Sequence, residues 1–143
     1  MHLKSIIPLL FTVLVSLGLQ AQKITEGTWY NEEKDGRIQF YESNGKLYGK
    51  IAWLKMPEEN GKPRTDINNP NNKLKSRPLL GMVFLKDFEE TKENFWEDGI
   101  IYDPKSGKNY SCEMKLESPD KLHVRGFVGI SLLGRTTVFT RAK

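Results

Sequence analysis

Apolar and polar side chains alternate with a period of two along most of the chain, and turn residues interrupt this alternation at short intervals. Residues 109–117 show it most clearly, because Tyr110, Cys112, Met114 and Leu116 alternate there with polar or charged residues. A period of two is typical of a β-strand with one buried face. The pattern predicts eight strands, over residues 27–30, 37–42, 46–54, 79–88, 94–102, 109–117, 122–128 and 134–141.

Short turns connect most of these predicted strands. Asn44-Gly45 is the dipeptide of a two-residue hairpin, and residues 103–108 carry the early Pro and late Gly of another turn. Sequential strands joined by hairpins leave two free sheet edges, which closure into a barrel removes. The sequence therefore predicts an all-β fold, an eight-stranded antiparallel up-and-down barrel. A two-sheet sandwich is the alternative architecture.

One connection, residues 55–78, is much longer than the others. Its second half lies in the stretch "TDINNPNNKLKSRPLLG", residues 65–81, whose Asn and Asp residues predict successive Asx turns. Long ordered loops in small domains are often functional. The EF-hand spacing and its closing Glu are absent, so no metal site is predicted. We predict an ordered flap beside the barrel, with Arg77 as the flap residue best suited to contact a ligand.

The first 21 residues have a different pattern from the rest. A basic start at Lys4, an apolar run over residues 6–19 and the small residue Ala21 are typical of a secretory signal peptide. The apolar run is shorter than the span of about 20 residues that a transmembrane helix needs. We predict that residues 1–21 are a signal peptide and that residues 22–143 form a single exported β-barrel domain, periplasmic or secreted, without a transmembrane segment.

Composition narrows the chemistry of the predicted mature chain. It keeps one cysteine, Cys112, and one histidine, His123, so it contains neither an intramolecular disulfide nor a structural zinc site. The formal net charge is +4, with basic and acidic residues interspersed, which does not predict a nucleic-acid partner. The motifs of a nucleophile elbow and of a phosphate-binding loop are also missing. We predict no cofactor and no catalytic residue.

Residues at the two ends of the predicted barrel form a signature. If the first and last strands are neighbours, Arg141 can lie across the indole face of Trp29 in the "GTW" segment that begins at Gly27. A cation stacked on an aromatic ring contributes on the order of 1 kcal/mol. This Gly-x-Trp…Arg pattern resembles that of the lipocalins and other calycins.

A second resemblance covers nearly the whole predicted mature chain. It rests on segments that include "YGKIAWL" at residues 48–54, "RPLLG" at 77–81, "WEDGIIYDPKSGKNYSCEMKL" at 96–116 and "LGRTTVFTR" at 133–141. Together they resemble the bacterial secreted family catalogued as domain of unknown function 2147. Phe139 departs from the pattern, since the family commonly has Trp there. The resemblance implies a calycin-like barrel exported by Gram-negative bacteria, and it does not imply any established activity.

Three function hypotheses remain open at this point. The first is non-catalytic binding of a small apolar or amphipathic ligand, lipid-like or aromatic, in the barrel, with Trp53, Arg77, Tyr110 and Arg135 as predicted ligand-binding residues. The second is a filled barrel that acts as an envelope-associated module and binds a protein partner. The third is a hydrolase that uses Asp66 and Asp103 as acid and base. A solidly packed interior beside the flap would contradict the first hypothesis.

Overall fold

Eight strands close into an antiparallel barrel in the computed structural model, which describes residues 12–13 and 22–143 of the chain. The barrel strands are β1 (Trp29–Tyr30), β2 (Gly36–Ser43), β3 (Lys46–Leu54), β6 (Val83–Lys92), β7 (Phe95–Asp103), β8 (Lys108–Ser118), β9 (Lys121–Phe127) and β10 (Arg135–Arg141). The remaining elements are β4 (Glu58–Glu59) paired with β5 (Lys62–Pro63), and two short 3-10 helices, Asn72–Leu74 and Ser131–Leu133.

The order of the strands around the barrel is β1-β10-β9-β8-β7-β6-β3-β2. Each barrel strand therefore pairs with the barrel strands before and after it in the chain, and β1 closes the ring by pairing with both β10 and β2. The predicted eight-stranded antiparallel up-and-down barrel is confirmed, and the sandwich alternative is wrong. Closure stabilises this short chain because it satisfies the edges of the sheet.

The predicted signal peptide, residues 1–21, lies outside the described residues except for residues 12–13. Across the part of the chain that the structure describes, no helix is long and apolar enough to cross a bilayer.

The predicted start of the fourth barrel strand at residue 79 is wrong, because β6 begins at Val83. Leu79 and Met82 are instead buried in a turn, where they form a small apolar cluster with Tyr102. Gly81 between them has a φ of +87°, a conformation that favours glycine and is incompatible with a regular strand. The apolar run "PLLGM" therefore forms the base of the flap rather than a strand.

Side chains fill the end of the barrel interior that lies away from the flap. Those that are almost completely buried include Trp29, Phe40, Leu85, Phe88, Cys112, Met114, Leu122 and Val124. Gly99 makes room for this packing, since a Cβ atom there would lie 2.3 Å from the ring of Phe88. Burial raises the pKa of the Cys112 thiol to about 12, which keeps it protonated and unreactive at neutral pH.

Trp29 and Arg141 seal this filled end of the barrel. Their Cα atoms are partners across β1 and β10, and the Arg141 guanidinium carbon lies 4.2 Å from the centroid of the Trp29 ring. This is the stacked arrangement that the sequence predicts. Arg141 also donates to the carbonyl oxygens of Pro119, Glu26 and Lys23, and the Trp29 indole donates to Ile24. These contacts tie residues 23–26 across the barrel end.

Candidate functional site

A cavity of about 430 Å³ opens at the other end of the barrel. Its apolar lining includes Ile38, Ile51, Leu54, Leu79, Phe84, Ile101 and Phe139. Thr137 on β10 adds a polar group to this interior lining. Polar and charged residues surround the opening: Asn31, Glu33, Asp35, Arg37, Glu59, Arg64, Thr65, Asn68, Asp103 and Lys105. We call this space the mouth cavity. Its volume falls within the range of about 300–1,000 Å³ that is typical of small-molecule sites.

Inward-facing strand residues and the loops at one end of the barrel together form the mouth cavity. Ile38 on β2 and Phe139 on β10 follow the inward positions of their strands. The β1–β2 loop, the β7–β8 turn and the flap, residues 55–78, provide most of the polar opening. The opening carries both signs of charge: Glu33, Asp35, Glu59 and Asp103 are acidic, and Arg37, Arg64 and Lys105 are basic.

The flap is fastened to the barrel through a buried carboxylate. Asp66 has no solvent-exposed surface, and its Oδ1 atom accepts a hydrogen bond of 2.6 Å from the Tyr102 hydroxyl on β7. Its Oδ2 atom accepts hydrogen bonds from Asn69, at 2.8 Å, and from Arg77, at 2.7 Å. A buried carboxylate is stable only when its oxygens are paired in this way. We call Asp66, Asn69, Arg77 and Tyr102 the flap latch.

The flap latch shifts the ionisation of both of its acidic groups. Burial tends to raise the pKa of Asp66, but the hydrogen bonds from Tyr102, Asn69 and Arg77 outweigh it, so the pKa lies below its ordinary value. Burial and the hydrogen bond to Asp66 raise the pKa of the Tyr102 hydroxyl to about 12. The folded protein therefore favours an ionised Asp66 and a neutral Tyr102.

These shifts predict that the latch stabilises the protein only between an acidic and an alkaline limit. Because the pKa of Asp66 is lowered on folding, its contribution is present above the unfolded value of about 4 and is lost as the pH falls through the folded value. Because the pKa of Tyr102 is raised, its contribution is present below about pH 10 and is lost as the pH rises towards about 12.

Denaturant unfolding across pH measures this prediction. The free energy of unfolding should decrease less at acidic pH in Asp66→Asn than in the unchanged chain. In Tyr102→Phe it should decrease less at alkaline pH. Identical pH profiles for the unchanged chain and both variants would contradict the assignment.

Backbone contacts hold the two limbs of the flap together. Thr65 forms a β-bridge with Pro78, the Asp66 amide donates to Arg77, and the Leu79 amide donates to Arg64. Asn68 attaches the flap to the β7–β8 turn by donating to the carbonyl oxygens of Pro104 and Lys105.

The Asn-rich stretch of the flap forms the local turns that its composition predicts. The Asn69 side chain accepts from the amide of Asn71, whose own side chain accepts from the amide of Lys73. The predicted ordered flap beside the barrel is confirmed.

A smaller cleft of about 180 Å³ lies against the outer side of the latch. Its lining includes Asn69, Arg77, Lys86, Tyr102 and Asn109. Arg77 lies here, with its charge neutralised by Asp66 and its guanidinium carbon 6.0 Å from the Tyr102 ring centroid. Arg77 therefore has a structural partner in the flap and is absent from the lining of the mouth cavity.

Trp53 does not face the barrel interior, so the predicted interior position is wrong. The register between β2 and β3 shifts after the pair Ile38–Ile51, and Trp53 then pairs with Arg37, whose neighbours Gly36 and Ile38 are buried. The irregularity turns Trp53 to the outer face, where the Arg37 guanidinium lies 4.7 Å from its ring and 4.6 Å from that of Tyr30.

The two other predicted ligand-binding residues also lie outside the mouth cavity. Tyr110 pairs with Ile101 and shares the inward face of β8 with Cys112, but it does not line the cavity. Arg135 is exposed at the start of β10. The structure therefore does not bring Trp53, Arg77, Tyr110 and Arg135 together around one site, and their binding roles stay untested predictions.

The carboxylates of the hydrolase hypothesis both make local contacts. Asp66 is held by three donors of the latch. Asp103 accepts from the Lys105 amide and from the Ser106 hydroxyl, as expected of a turn residue. Within residues 12–13 and 22–143, no group of three or more His, Cys, Asp or Glu residues is arranged to hold a metal ion.

Sequence reasoning missed several residues of the mouth cavity. Thr137 and Phe139 lie on the inward face of β10, and strict alternation from the buried Arg141 would have identified them. Leu54 and Phe84 line the cavity next to register shifts in β3 and β6. No sequence signal marks those shifts.

Comparison with known proteins agrees with this architecture. Residues 27–141 match the model of a family described as "Uncharacterized protein conserved in bacteria (DUF2147)". The chain belongs to this family. The barrel is also similar to the solved structure of HP1028 from Helicobacter pylori, described as belonging to the lipocalin family, with 25% sequence identity, a TM-score of 0.72 and coverage of 82% of each chain. No curated protein matches the chain.

The family match confirms the resemblance predicted from the sequence motifs, and the structural likeness confirms the lipocalin-like character of the fold. The flap and the mouth cavity both fall within the matched residues, 27–141.

Proposed function

We propose that this DUF2147 protein is exported and binds a small apolar or amphipathic ligand, without catalysis, in the mouth cavity. The observation that carries the proposal is the cavity itself, an apolar interior of about 430 Å³ that opens beside the flap. Concave apolar sites with a few polar groups at the opening are the usual form of small-molecule sites. The lipocalin-like fold is compatible with the same role.

The shape of the cavity favours a compact ligand. Its volume lies near the lower end of the range for small-molecule sites, and packed side chains such as Phe40 and Met114 occupy the rest of the barrel interior. We place the apolar part of the ligand against Ile38, Ile101 and Phe139 and its polar part at the mixed-charge opening. An aromatic or short-chain amphipathic molecule fits this description better than a fully enclosed long-chain lipid.

The contacts of the two candidate carboxylates do not favour a hydrolase. General acid–base chemistry needs a group within hydrogen-bond reach of a substrate. Both oxygens of Asp66 accept hydrogen bonds from the latch, and Asp103 stabilises its own turn. A role in binding rather than in chemistry therefore accounts better for the mouth cavity.

Filling the cavity should weaken binding without unfolding the barrel. Thr137 lines the cavity on β10, and Thr136, the next residue, is exposed on the outer face of the same strand. We expect Thr137→Trp to weaken binding at least about tenfold, which corresponds to about 1.4 kcal/mol, because the indole occupies the ligand's space. Thr136→Trp is the matched control and should leave affinity within about twofold.

Titration with the fluorescent probe 1-anilinonaphthalene-8-sulfonate measures this prediction, with circular dichroism to verify that both variants stay folded. Equal loss of affinity in both variants, or equal affinity in all three proteins, would place the probe outside the mouth cavity.

A further inference from the structure

The loop between β9 and β10 exposes an unusual concentration of large apolar side chains. Val128, Ile130, Leu132 and Leu133 have exposed fractions of 58–85%, although all four belong to one short hairpin connection. Single exposed apolar residues are ordinary on protein surfaces. A contiguous group of them, in contrast, marks a surface that contacts another protein or a membrane. We call residues 128–133 the apolar loop.

The conformation of the apolar loop is fixed by contacts at its base. Arg125 donates through Nε to the Ser131 carbonyl oxygen, at 2.7 Å, and through Nη1 to the Thr136 hydroxyl, at 2.8 Å. Gly134 packs so closely that a Cβ atom there would lie 2.6 Å from the Gly126 carbonyl oxygen. These contacts at the base hold the loop in a conformation that keeps its apolar side chains exposed.

The polar groups of the apolar loop are partly satisfied within the protein. Ser131 is its one polar residue, and the Ser131 hydroxyl donates to the carboxylate of Glu113. The Leu133 amide donates to Ile130, and the Ser131 carbonyl accepts from both Gly134 and Arg125. Internal pairing of this kind lowers the cost of entering a medium without water.

We propose that the apolar loop inserts into the interfacial layer of a phospholipid bilayer and holds the mouth cavity against the membrane surface. The loop connects two paired strands, and none of its residues lines the mouth cavity or the smaller cleft, so its apolar side chains are free to enter lipid. It lies at the end of the barrel where the mouth cavity opens, and the exposed Arg135 next to it can contact lipid phosphates. This inference rests on the loop and holds whether or not the cavity binds a ligand.

Flotation of the purified protein with vesicles of phosphatidylethanolamine and phosphatidylglycerol tests membrane binding. The double variant Leu132→Ser/Leu133→Ser should partition about 30-fold less strongly, the loss expected if each leucine is half transferred from water. Ile100→Ser removes an exposed apolar side chain from the outer barrel wall and is the control, with an expected change within about twofold. Absence of flotation for the unchanged protein, or equal partitioning of the double variant, would overturn the proposal.

A site-specific probe tests the orientation. Leu132→Cys and Ser118→Cys place thiols at opposite ends of the barrel, and the buried Cys112 thiol, with its raised pKa, does not compete for labelling. An environment-sensitive fluorophore should shift to the blue on vesicle addition only when it is attached at position 132. Equal shifts at both positions would overturn oriented insertion. A shift at position 132 that appears without vesicles and grows with protein concentration would show that a second copy covers the loop instead.

Discussion

Asp66→Ala should lower the free energy of unfolding by about 3 kcal/mol, a large effect for an exchange in a loop. The substitution removes the acceptor for Tyr102, Asn69 and Arg77 together. Breaking a buried charged pair costs about 3–5 kcal/mol. The lower end applies because the Arg77 side chain is 31% exposed and can be hydrated again. Urea unfolding monitored by tryptophan fluorescence measures the change.

The flap should also become susceptible to proteolysis in this variant. The Asp66 side chain provides the bond to Tyr102 that joins the flap to β7, so we expect cleavage within residues 55–78 at protease concentrations that leave the unchanged chain intact. Asp103→Ala is the matched control, since the Asp103 side chain accepts hydrogen bonds from residues of its own turn and makes none to the flap, and its loss should cost about 1 kcal/mol or less. Equal costs for the two variants would contradict the latch.

Trp29→Ala should cost about 4 kcal/mol, the largest loss we expect from a single substitution. The Trp29 side chain is completely buried, its indole donates to Ile24, and Arg141 stacks on its face. Removing a buried tryptophan typically costs about 3–5 kcal/mol. Here the change also leaves Arg141 over an empty space and loosens the segment that crosses the barrel end.

Trp53→Ala is the matched control for this prediction. Trp53 is half-buried on the outer face, against Tyr30 and Arg37, so its removal should cost about 1–2 kcal/mol. Thermal unfolding followed by far-ultraviolet circular dichroism compares the two variants. A cost for Trp53→Ala equal to that for Trp29→Ala would contradict the assignment of Trp29 as the seal of the filled end.

The barrel was predictable because its information is local. Alternation and turn chemistry fix which residues form strands, and antiparallel neighbours follow from short hairpins. The pairing of β1 with β10 is not local, but the chemistry of Trp29 and Arg141 indicates it. The flap was predictable for a similar reason, since Asx turns depend on nearby residues.

The candidate site was less predictable because it depends on irregularities and on distant contacts. A register shift turned Trp53 outward and placed Leu54 at the cavity. Asp66 has the composition of a turn residue, and only the packing of the flap against β7 brings it to Tyr102, 36 positions away. Arg77 likewise forms an ion pair with Asp66 in the flap and does not line the mouth cavity. Charge and spacing alone do not distinguish these roles.

Native mass spectrometry tests the central claim most directly. The protein should be purified without denaturation from the bacterium that encodes it, so that a bound molecule is retained. The account predicts a non-covalent adduct of small mass that dissociates on gentle activation, is retained by Thr136→Trp and is lost in Thr137→Trp. A clean ligand-free mass for the unchanged protein and both variants would contradict binding of a ligand in the mouth cavity.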